Sequence, residues 1–162
     1  MQGMELRGKT LGIVGLGGIG AEMARLAAGI GLKVLAYNRT PKPGTVEIDE
    51  LLARADIVSL HLALNDDTRG FLSRERLART RRGVIVVNTA RAGVVDEKAL
   101  VELLKSGHIG HYATDVFGKE PPAPDEPLLT LDNVTLTSHA GYNTPEAAMT
   151  MYRRAIDLAA GA

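Results

Sequence analysis

Short apolar runs alternate with amphipathic stretches along almost the whole chain. The runs have the length and composition of buried strands, and the stretches between them repeat their apolar residues at the spacing of a helix. Strands are predicted at 10–14, 33–37, 57–60, 84–87, 110–114 and 134–136, and helices near 19–30, 48–55, 73–77, 96–107 and 144–160. This alternation predicts an α/β fold, a doubly wound parallel Rossmann-type sheet of six strands in the order 3-2-1-4-5-6.

The first strand runs directly into a glycine-rich turn that opens the first helix. In this G-x-G-x-x-G pattern Gly15 lets the chain turn tightly, Gly17 leaves room for a phosphate, and Gly20 lets the helix pack close to the strand. Such a turn presents unpaired N–H groups and the positive end of the helix dipole, so it predicts a pyrophosphate site. The predicted cofactor-binding residues of the turn are Gly15, Gly17, Gly18, Ile19 and Gly20.

Composition narrows the range of functions. The 162 residues are 45% hydrophobic, which suits one domain, and 19 basic residues balance 19 acidic ones, so neither a nucleic-acid nor an anionic-membrane surface is indicated. There is no cysteine, which excludes disulfides and thiolate metal sites, and no metal site is predicted. The N-terminal residues contain no apolar leader, so a cytoplasmic protein is expected.

Ligands of a doubly wound sheet bind outside the carboxyl ends of its strands, so polar residues that follow strands are candidates for the site. Arg91 and His139 follow different strands, and we expect both in one cleft. A guanidinium can hold a carboxylate through two hydrogen bonds, and an imidazole can move a proton near neutral pH. A carboxylate near the imidazole favours its protonated form, and Glu120 in a proline-rich loop is the candidate.

Four motifs, in order along nearly the whole chain, resemble the D-isomer-specific 2-hydroxyacid dehydrogenase family. They are the glycine-rich turn, the run Asn88-Thr89-Ala90-Arg91-Ala92-Gly93-Val94-Val95-Asp96-Glu97, Asp115-Val116-Phe117 with Glu120-Pro121, and Ser138-His139-Ala140-Gly141. The resemblance implies that Arg91, Glu120 and His139 are catalytic. In that family Arg91 grips a 2-oxo acid, His139 exchanges a proton with its oxygen, and Glu120 orients His139. The reaction is hydride transfer between NAD(P)H and a 2-oxo acid such as glyoxylate or hydroxypyruvate.

The same resemblance implies further contacts with the cofactor. Asp115 matches the residue that holds the nicotinamide carboxamide, and the backbone near Thr89, Ala90 and Gly141 frames the same ring. His61 and Thr68 match a loop that passes the adenosine end.

Three positions depart from the family pattern. The acid that accepts the ribose hydroxyls of NAD is absent, and Asn38-Arg39-Thr40 stands in its place. Because an arginine beside hydroxyl and amide groups can bind a 2′-phosphate, NADP(H) is predicted to bind at least as well as NAD(H). Ala92 replaces the usual glycine after the catalytic arginine, and Ala63 replaces a common proline.

Family members also carry a flavodoxin-like substrate lobe, for which we find no residues in 1–162. We therefore expect an excised or engineered dinucleotide-binding domain that binds cofactor but has weak or no dehydrogenase activity alone. A homodimer is expected, because in the family this domain supplies the subunit contact.

Two other classes of protein share parts of this motif pattern. One is a dinucleotide-sensing scaffold of the corepressor kind, which shares the fold and retains the catalytic residues, so the triad does not discriminate. The other is a 3-hydroxyacid dehydrogenase, which the Arg91 and Glu120 motifs disfavour.

Overall fold

Six strands form one parallel sheet in the computed structural model, which describes residues 3–161. The strands are β1 Thr10–Val14, β2 Lys33–Tyr37, β3 Ile57–Leu60, β4 Val84–Asn88, β5 Ile109–Thr114 and β6 Val134–Leu136. The helices are α1 Gly18–Gly29, α2 Ile48–Arg54, α3 Arg74–Ala78, α4 Glu97–Lys105 and α5 Pro145–Ala160. The α/β fold with a six-stranded parallel sheet is confirmed.

Local capping signals account for where several helices begin. Ser73, Asp96 and Thr144, which begin three of the predicted helices, each accept a hydrogen bond from the backbone N–H three residues later. These bonds satisfy amide groups that the first turn of a helix leaves without a partner. Capping patterns of this kind involve residues only a few positions apart, so the sequence alone indicates where these helices begin.

The predicted strand order 3-2-1-4-5-6 is wrong. The observed order is β2-β1-β3-β4-β5-β6, so the chain crosses from β2 directly to the far side of β1. The place beyond β2 holds only an isolated parallel bridge between Ala36 and Thr45. A full strand at Thr45 would restore the standard order, but Pro41 and Pro43 in the preceding loop lack the N–H groups that a ladder needs.

The two faces of the sheet are covered unequally. Leu51 of α2, Leu77 of α3 and Leu100 of α4 are fully buried in one large core on the first face. On the second face α1 contributes Ala27 to a smaller cluster over β1 and β2. This arrangement leaves the part of the second face over β3 and β4 open, and Val87 there is only partly buried.

Two helices present apolar side chains to the outside. Helix α1 has the predicted apolar face, but of the large or apolar side chains on that face only Ala27 is buried, and Ile19 and Leu26 are 77% and 49% exposed. Helix α5 has no buried residue, and its Ile156 and Leu158 are also largely exposed. Within residues 3–161 no helix is long and apolar enough to cross a bilayer.

Candidate functional site

The glycine-rich turn joins β1 to α1 and places two glycines where no other residue fits. Gly15 has φ of +102°, and a Cβ there would lie 2.7 Å from the carbonyl oxygen of His61. A Cβ on Gly20 would lie 2.0 Å from the carbonyl oxygen of Gly15. Both distances are far below van der Waals contact, so Gly15 lets the turn approach the segment after β3 and Gly20 lets the helix approach the strand.

The two glycines between Gly15 and Gly20 face open space. A Cβ on Gly17 or Gly18 would meet no atom within 4 Å. Helix α1 begins at this point with no side-chain cap and no acidic residue in its first turn. Its first N–H groups and the positive end of its dipole are therefore offered to an anion, and a phosphate fits closely against the bare backbone.

A cavity of about 490 Å³ lies over this turn at the carboxyl edge of the sheet. It has the size and the mixed lining of a nucleotide site, since both apolar side chains and the backbone of the glycine-rich turn line it. Its lining includes Gly17, Gly18, Ile19, Gly20, Leu60, His61, Leu62, Thr89, Ala90 and Arg91. The turn and the segments after β3 and β4 therefore meet in one place, and the residues present fit a dinucleotide.

The segment after β2 is tied to the glycine-rich turn. Asn38 accepts a hydrogen bond from the N–H of Leu16 at 3.1 Å and donates to the carbonyl of Thr40 at 2.8 Å. Lys42 donates to the carbonyl of Leu16 at 2.7 Å. The Asn38 side chain thus positions the turn, which the sequence did not indicate. Thr40 is exposed beside it.

Arg39 does not stand alone at the end of β2. Its guanidinium forms an ion pair with the carboxylate of Asp67, with 2.5 Å between Nη1 and Oδ2. Both side chains are 70% exposed.

His61 and Thr68, the predicted adenosine contacts, differ in their surroundings. His61 lines the cavity, its Nε2 lies 3.0 Å from the hydroxyl of Ser59, and burial lowers the pKa of its imidazole. The hydroxyl of Thr68 donates to the carbonyl of Ala63 at 2.6 Å and so closes its own loop. Thr68 does not line the cavity, and its hydroxyl is used within the loop.

A second cavity of about 460 Å³ adjoins the first and shares Leu64 and Arg91 with it. Arg91, Glu120 and His139 all line it. The loops after β4, β5 and β6 therefore bring a guanidinium, a carboxylate and an imidazole together, as expected from the edge of a parallel sheet. Ala92 begins a 3₁₀ turn without a positive φ, so its methyl group leaves the backbone near Arg91 undisturbed.

Glu120 and His139 are in direct contact. The Nδ1 of His139 lies 2.7 Å from Oε2 of Glu120, and Oε1 accepts a hydrogen bond from the N–H of Phe117. The bond to His139, followed by the bond to Phe117, holds the pKa of the Glu120 carboxyl below its ordinary value. This contact fixes one ring nitrogen of His139 on Glu120 and leaves Nε2 for a reacting group.

Asp115 is a buried clamp for the segment that carries His139. Its carboxylate accepts bonds from the hydroxyl of Thr137 at 2.5 Å and from the N–H groups of Ala140 and Gly141 at 3.1 and 3.0 Å. Burial alone would raise the pKa of Asp115, but these three donors outweigh it, so the pKa lies below its ordinary value. A Cβ on Gly141 would lie 3.1 Å from Oδ2, so the clamp favours glycine there.

Asn88 is a positioning residue that the sequence analysis did not single out. It is fully buried at the end of β4, donates to the carbonyl of Arg91 at 3.0 Å, and accepts from the N–H of Ala90 at 3.0 Å. Its Nδ2 also donates to the hydroxyl of Tyr112. A polar residue ending an otherwise apolar strand was the available signal. Within the described residues no group of three or more His, Asp or Glu is placed to hold a metal.

Comparison with known proteins gives a consistent picture. The family model described as "D-isomer specific 2-hydroxyacid dehydrogenase, NAD binding domain" matches residues 1–141. The chain is 44% identical over 155 residues to a hydroxypyruvate reductase of Thermotoga maritima, covering 91% of this chain and 50% of that protein. The chain spans half or less of the length of the curated relatives it matches.

Solved structures agree. A glyoxylate reductase from Paecilomyes thermophila superposes with a TM-score of 0.87 at 42% identity, over 94% of this chain and 48% of its own. A D-isomer specific 2-hydroxyacid dehydrogenase from Xanthobacter autotrophicus, solved in complex with NADPH and MES, gives a TM-score of 0.82 at 38% identity. That match covers 94% of this chain and 67% of the other.

Proposed function

The chain belongs to the D-isomer-specific 2-hydroxyacid dehydrogenase family as its NAD-binding domain, and we propose that its two adjoining cavities hold a nicotinamide dinucleotide and a 2-oxo acid. The observation that carries this proposal is the contact between Glu120 and His139, in a cavity that shares Arg91 with the cavity over the glycine-rich turn. The substrate class, illustrated by glyoxylate and hydroxypyruvate, follows from the relatives' names.

The dinucleotide site is supported by the shape and polarity of the turn. The uncapped start of α1 would hold the diphosphate, and Gly17 and Gly18 leave the backbone accessible. His61 would stand beside the nucleotide, Thr89, Ala90 and Gly141 would frame the nicotinamide end, and Asp115 would hold its carboxamide. The bound dinucleotide supplies or accepts the hydride.

The chain's own residues would bind the substrate and move the proton. Arg91 would hold the carboxylate of the 2-oxo acid, since a guanidinium offers two parallel hydrogen bonds to it. His139 would donate a proton from Nε2 to the carbonyl oxygen during reduction, or accept the hydroxyl proton in the reverse direction. Glu120 would hold the ring in the correct orientation through Nδ1.

For the cofactor, we propose that NADP(H) binds at least as well as NAD(H). No acid follows β2 to accept the ribose hydroxyls, and Arg39 stands where a 2′-phosphate would come. A relative bound to NADPH supports this preference. Arg39 would be the main contact, with Asn38 and Thr40 beside it.

We further propose weak turnover and a homodimer. The side chains of His139 and Glu120 are 36% and 38% exposed, so this chain alone does not exclude water from the reacting atoms. Since positioning and water exclusion supply much of an enzymatic barrier reduction, catalysis by residues this exposed should be slow. The exposed apolar face of α1 supports contact with a second copy.

Calorimetric titration with NAD(H) and NADP(H) tests the cofactor proposal. We expect saturable binding of both, with NADP(H) at least as tight as NAD(H). A folded chain that binds neither contradicts the proposal, and a clear preference for NAD(H) contradicts its NADP part. Rapid reduction of glyoxylate or hydroxypyruvate, at rates typical of complete enzymes, would contradict the expectation of weak turnover.

A further inference from the structure

An ion pair crosses the carboxyl end of β1. Arg39 follows β2 and Asp67 follows β3, and in the sheet these two strands lie on either side of β1. The contact between Arg39 and Asp67 therefore links the two loops that flank the glycine-rich turn. In a dinucleotide-binding sheet this crevice is the side on which the adenosine half lies.

The loop that carries Asp67 is ordered by its own hydrogen bonds. The side-chain oxygen of Asn65 accepts from the N–H groups of Asp67 and Thr68 at 3.0 and 3.1 Å. The hydroxyl of Thr68 donates to the carbonyl of Ala63, and the N–H of Gly70 donates to the carbonyl of Gly93 at 2.8 Å. Because none of these bonds involves Arg39, the loop conformation that carries Asp67 does not depend on the ion pair.

We propose that Asp67 is a specificity-determining residue that competes with the cofactor 2′-phosphate for the guanidinium of Arg39. This inference rests on the proposed dinucleotide site. A carboxylate and a phosphate bind a guanidinium through the same donor edge, so NADP(H) must displace Asp67 or share Arg39 with it. NAD(H) carries no 2′-phosphate and needs no such exchange.

The exposure of the pair determines the size of the effect. With both side chains 70% exposed, water screens the attraction, so breaking the ion pair costs little free energy. Asp67 therefore weakens the binding of NADP(H) moderately and does not prevent it. After displacement the carboxylate remains close to the doubly charged phosphate and repels it, which adds to the penalty.

Replacing Asp67 by asparagine tests the proposal by removing the charge while keeping the shape. We expect Asp67→Asn to tighten the binding of NADP⁺ by about three- to tenfold at low salt, the range for one exposed pair plus relief of one repulsion, and to leave NAD⁺ unchanged. Comparing 2′,5′-ADP with 5′-AMP isolates the effect of the 2′-phosphate. Asp67→Asn should tighten the binding of 2′,5′-ADP and leave that of 5′-AMP unchanged. Asp66→Asn is the matched control, because Asp66 carries the same charge in the same loop and forms no ion pair within residues 3–161.

A variant of the partner completes the design. In an Arg39→Gln background, Asp67→Asn should give a clearly smaller gain in affinity for NADP⁺, because the competition needs the guanidinium and only the direct repulsion remains. Equal affinity of the parent and Asp67→Asn for NADP⁺, or an equal gain for NAD⁺ or in Asp66→Asn, would overturn the role of Asp67. Failure of the folded parent chain to bind either dinucleotide would instead overturn the proposed function. Asp67→Ser repeats the test should asparagine disturb the loop.

Discussion

His139 is held by its neighbours in an unusual backbone conformation. Its φ is +54°, the only positive value at a non-glycine residue within the described part of the chain. Such a conformation costs of the order of 1–3 kcal/mol and persists where surrounding contacts compensate for it. Here the contacts are the Asp115 clamp on the following amides and the bond to Glu120, so the position of the imidazole depends on two carboxylates.

The pKa of Glu120 reports this contact directly. His139→Asn tolerates the left-handed backbone and removes the imidazole that bonds to Glu120, so we expect the pKa of Glu120 to rise from its lowered value toward its ordinary value of 4.5. Carbon-detected NMR of the Glu120 carboxyl measures the change. His111→Asn is the control, because His111 contacts Thr135 instead.

The sign of the pH dependence follows from the same shift. Since the pKa of Glu120 is lower in the folded chain than its ordinary value of 4.5, the stability it contributes is fully present above that value. That stability is lost as the pH falls through the lowered folded pKa. An unchanged Glu120 titration in His139→Asn would contradict the contact.

At the scale of elements, the strand–turn–helix unit of β1 and α1 organises the site. Gly20 lets the helix approach the strand, and Gly17 leaves its start open. These two requirements are separable, because one concerns packing within the chain and the other concerns the ligand. The same unit is short and local, which is why its glycine pattern was sufficient to predict it.

Alanine substitutions should separate the two roles. Gly20→Ala forces a Cβ against the carbonyl of Gly15 and should lower the free energy of unfolding by about 1–3 kcal/mol. Gly17→Ala projects into open space, so its stability loss should stay within about 1 kcal/mol, the range for an N-cap change. The affinity of Gly17→Ala for the dinucleotide should fall by about tenfold or more, which corresponds to a loss of about 1.4 kcal/mol of binding free energy.

Denaturant unfolding and calorimetric titration measure the two effects. Gly29→Ala is the control, since it lies at the far end of α1 with nothing within 4 Å of its Cβ. It should leave the dinucleotide affinity unchanged and change stability only as a gain of up to about 1 kcal/mol, because alanine favours a helix over glycine. Full dinucleotide affinity in Gly17→Ala would place the diphosphate elsewhere.

The limits of sequence-based prediction also lie at this scale. Strand and helix bounds were predictable because apolar runs and caps such as Ser73 act over a few residues. The strand order was not, because it depends on whether the segment at Thr45 completes a ladder or stops at one bridge. The ion pair between Arg39 and Asp67 joins segments that are far apart in the sequence, and so does the buried hydrogen bond between Asn88 and Tyr112. The sequence does not indicate that these segments lie together in the folded chain.

For the molecule as a whole, the unequal cover of the sheet is the main feature. The first face is closed by α2, α3 and α4, whereas α1 leaves part of the second face open. A groove of about 550 Å³ beside α1 is lined by Ile19, Met23, Leu26 and Val87, and its lining is mainly apolar. An apolar surface of this kind favours association.

We expect the chain to dimerise through α1. Leu26→Glu places a charge on this face and should shift the dimer toward monomer, measured by light scattering over a range of concentrations. Leu158→Glu on α5 is the matched control and should leave the dimer intact. A parent chain that is monomeric at every concentration would contradict the dimer, and loss of the dimer only in Leu158→Glu would assign the contact to α5.

A crystal structure of the chain with bound NADP(H) tests the central claim most directly. The account predicts the diphosphate against the amides of Gly17–Gly20 and the nicotinamide ring beside Arg91 and His139. A diphosphate bound away from the start of α1, or a nicotinamide ring outside the cleft formed by the two cavities, would contradict it.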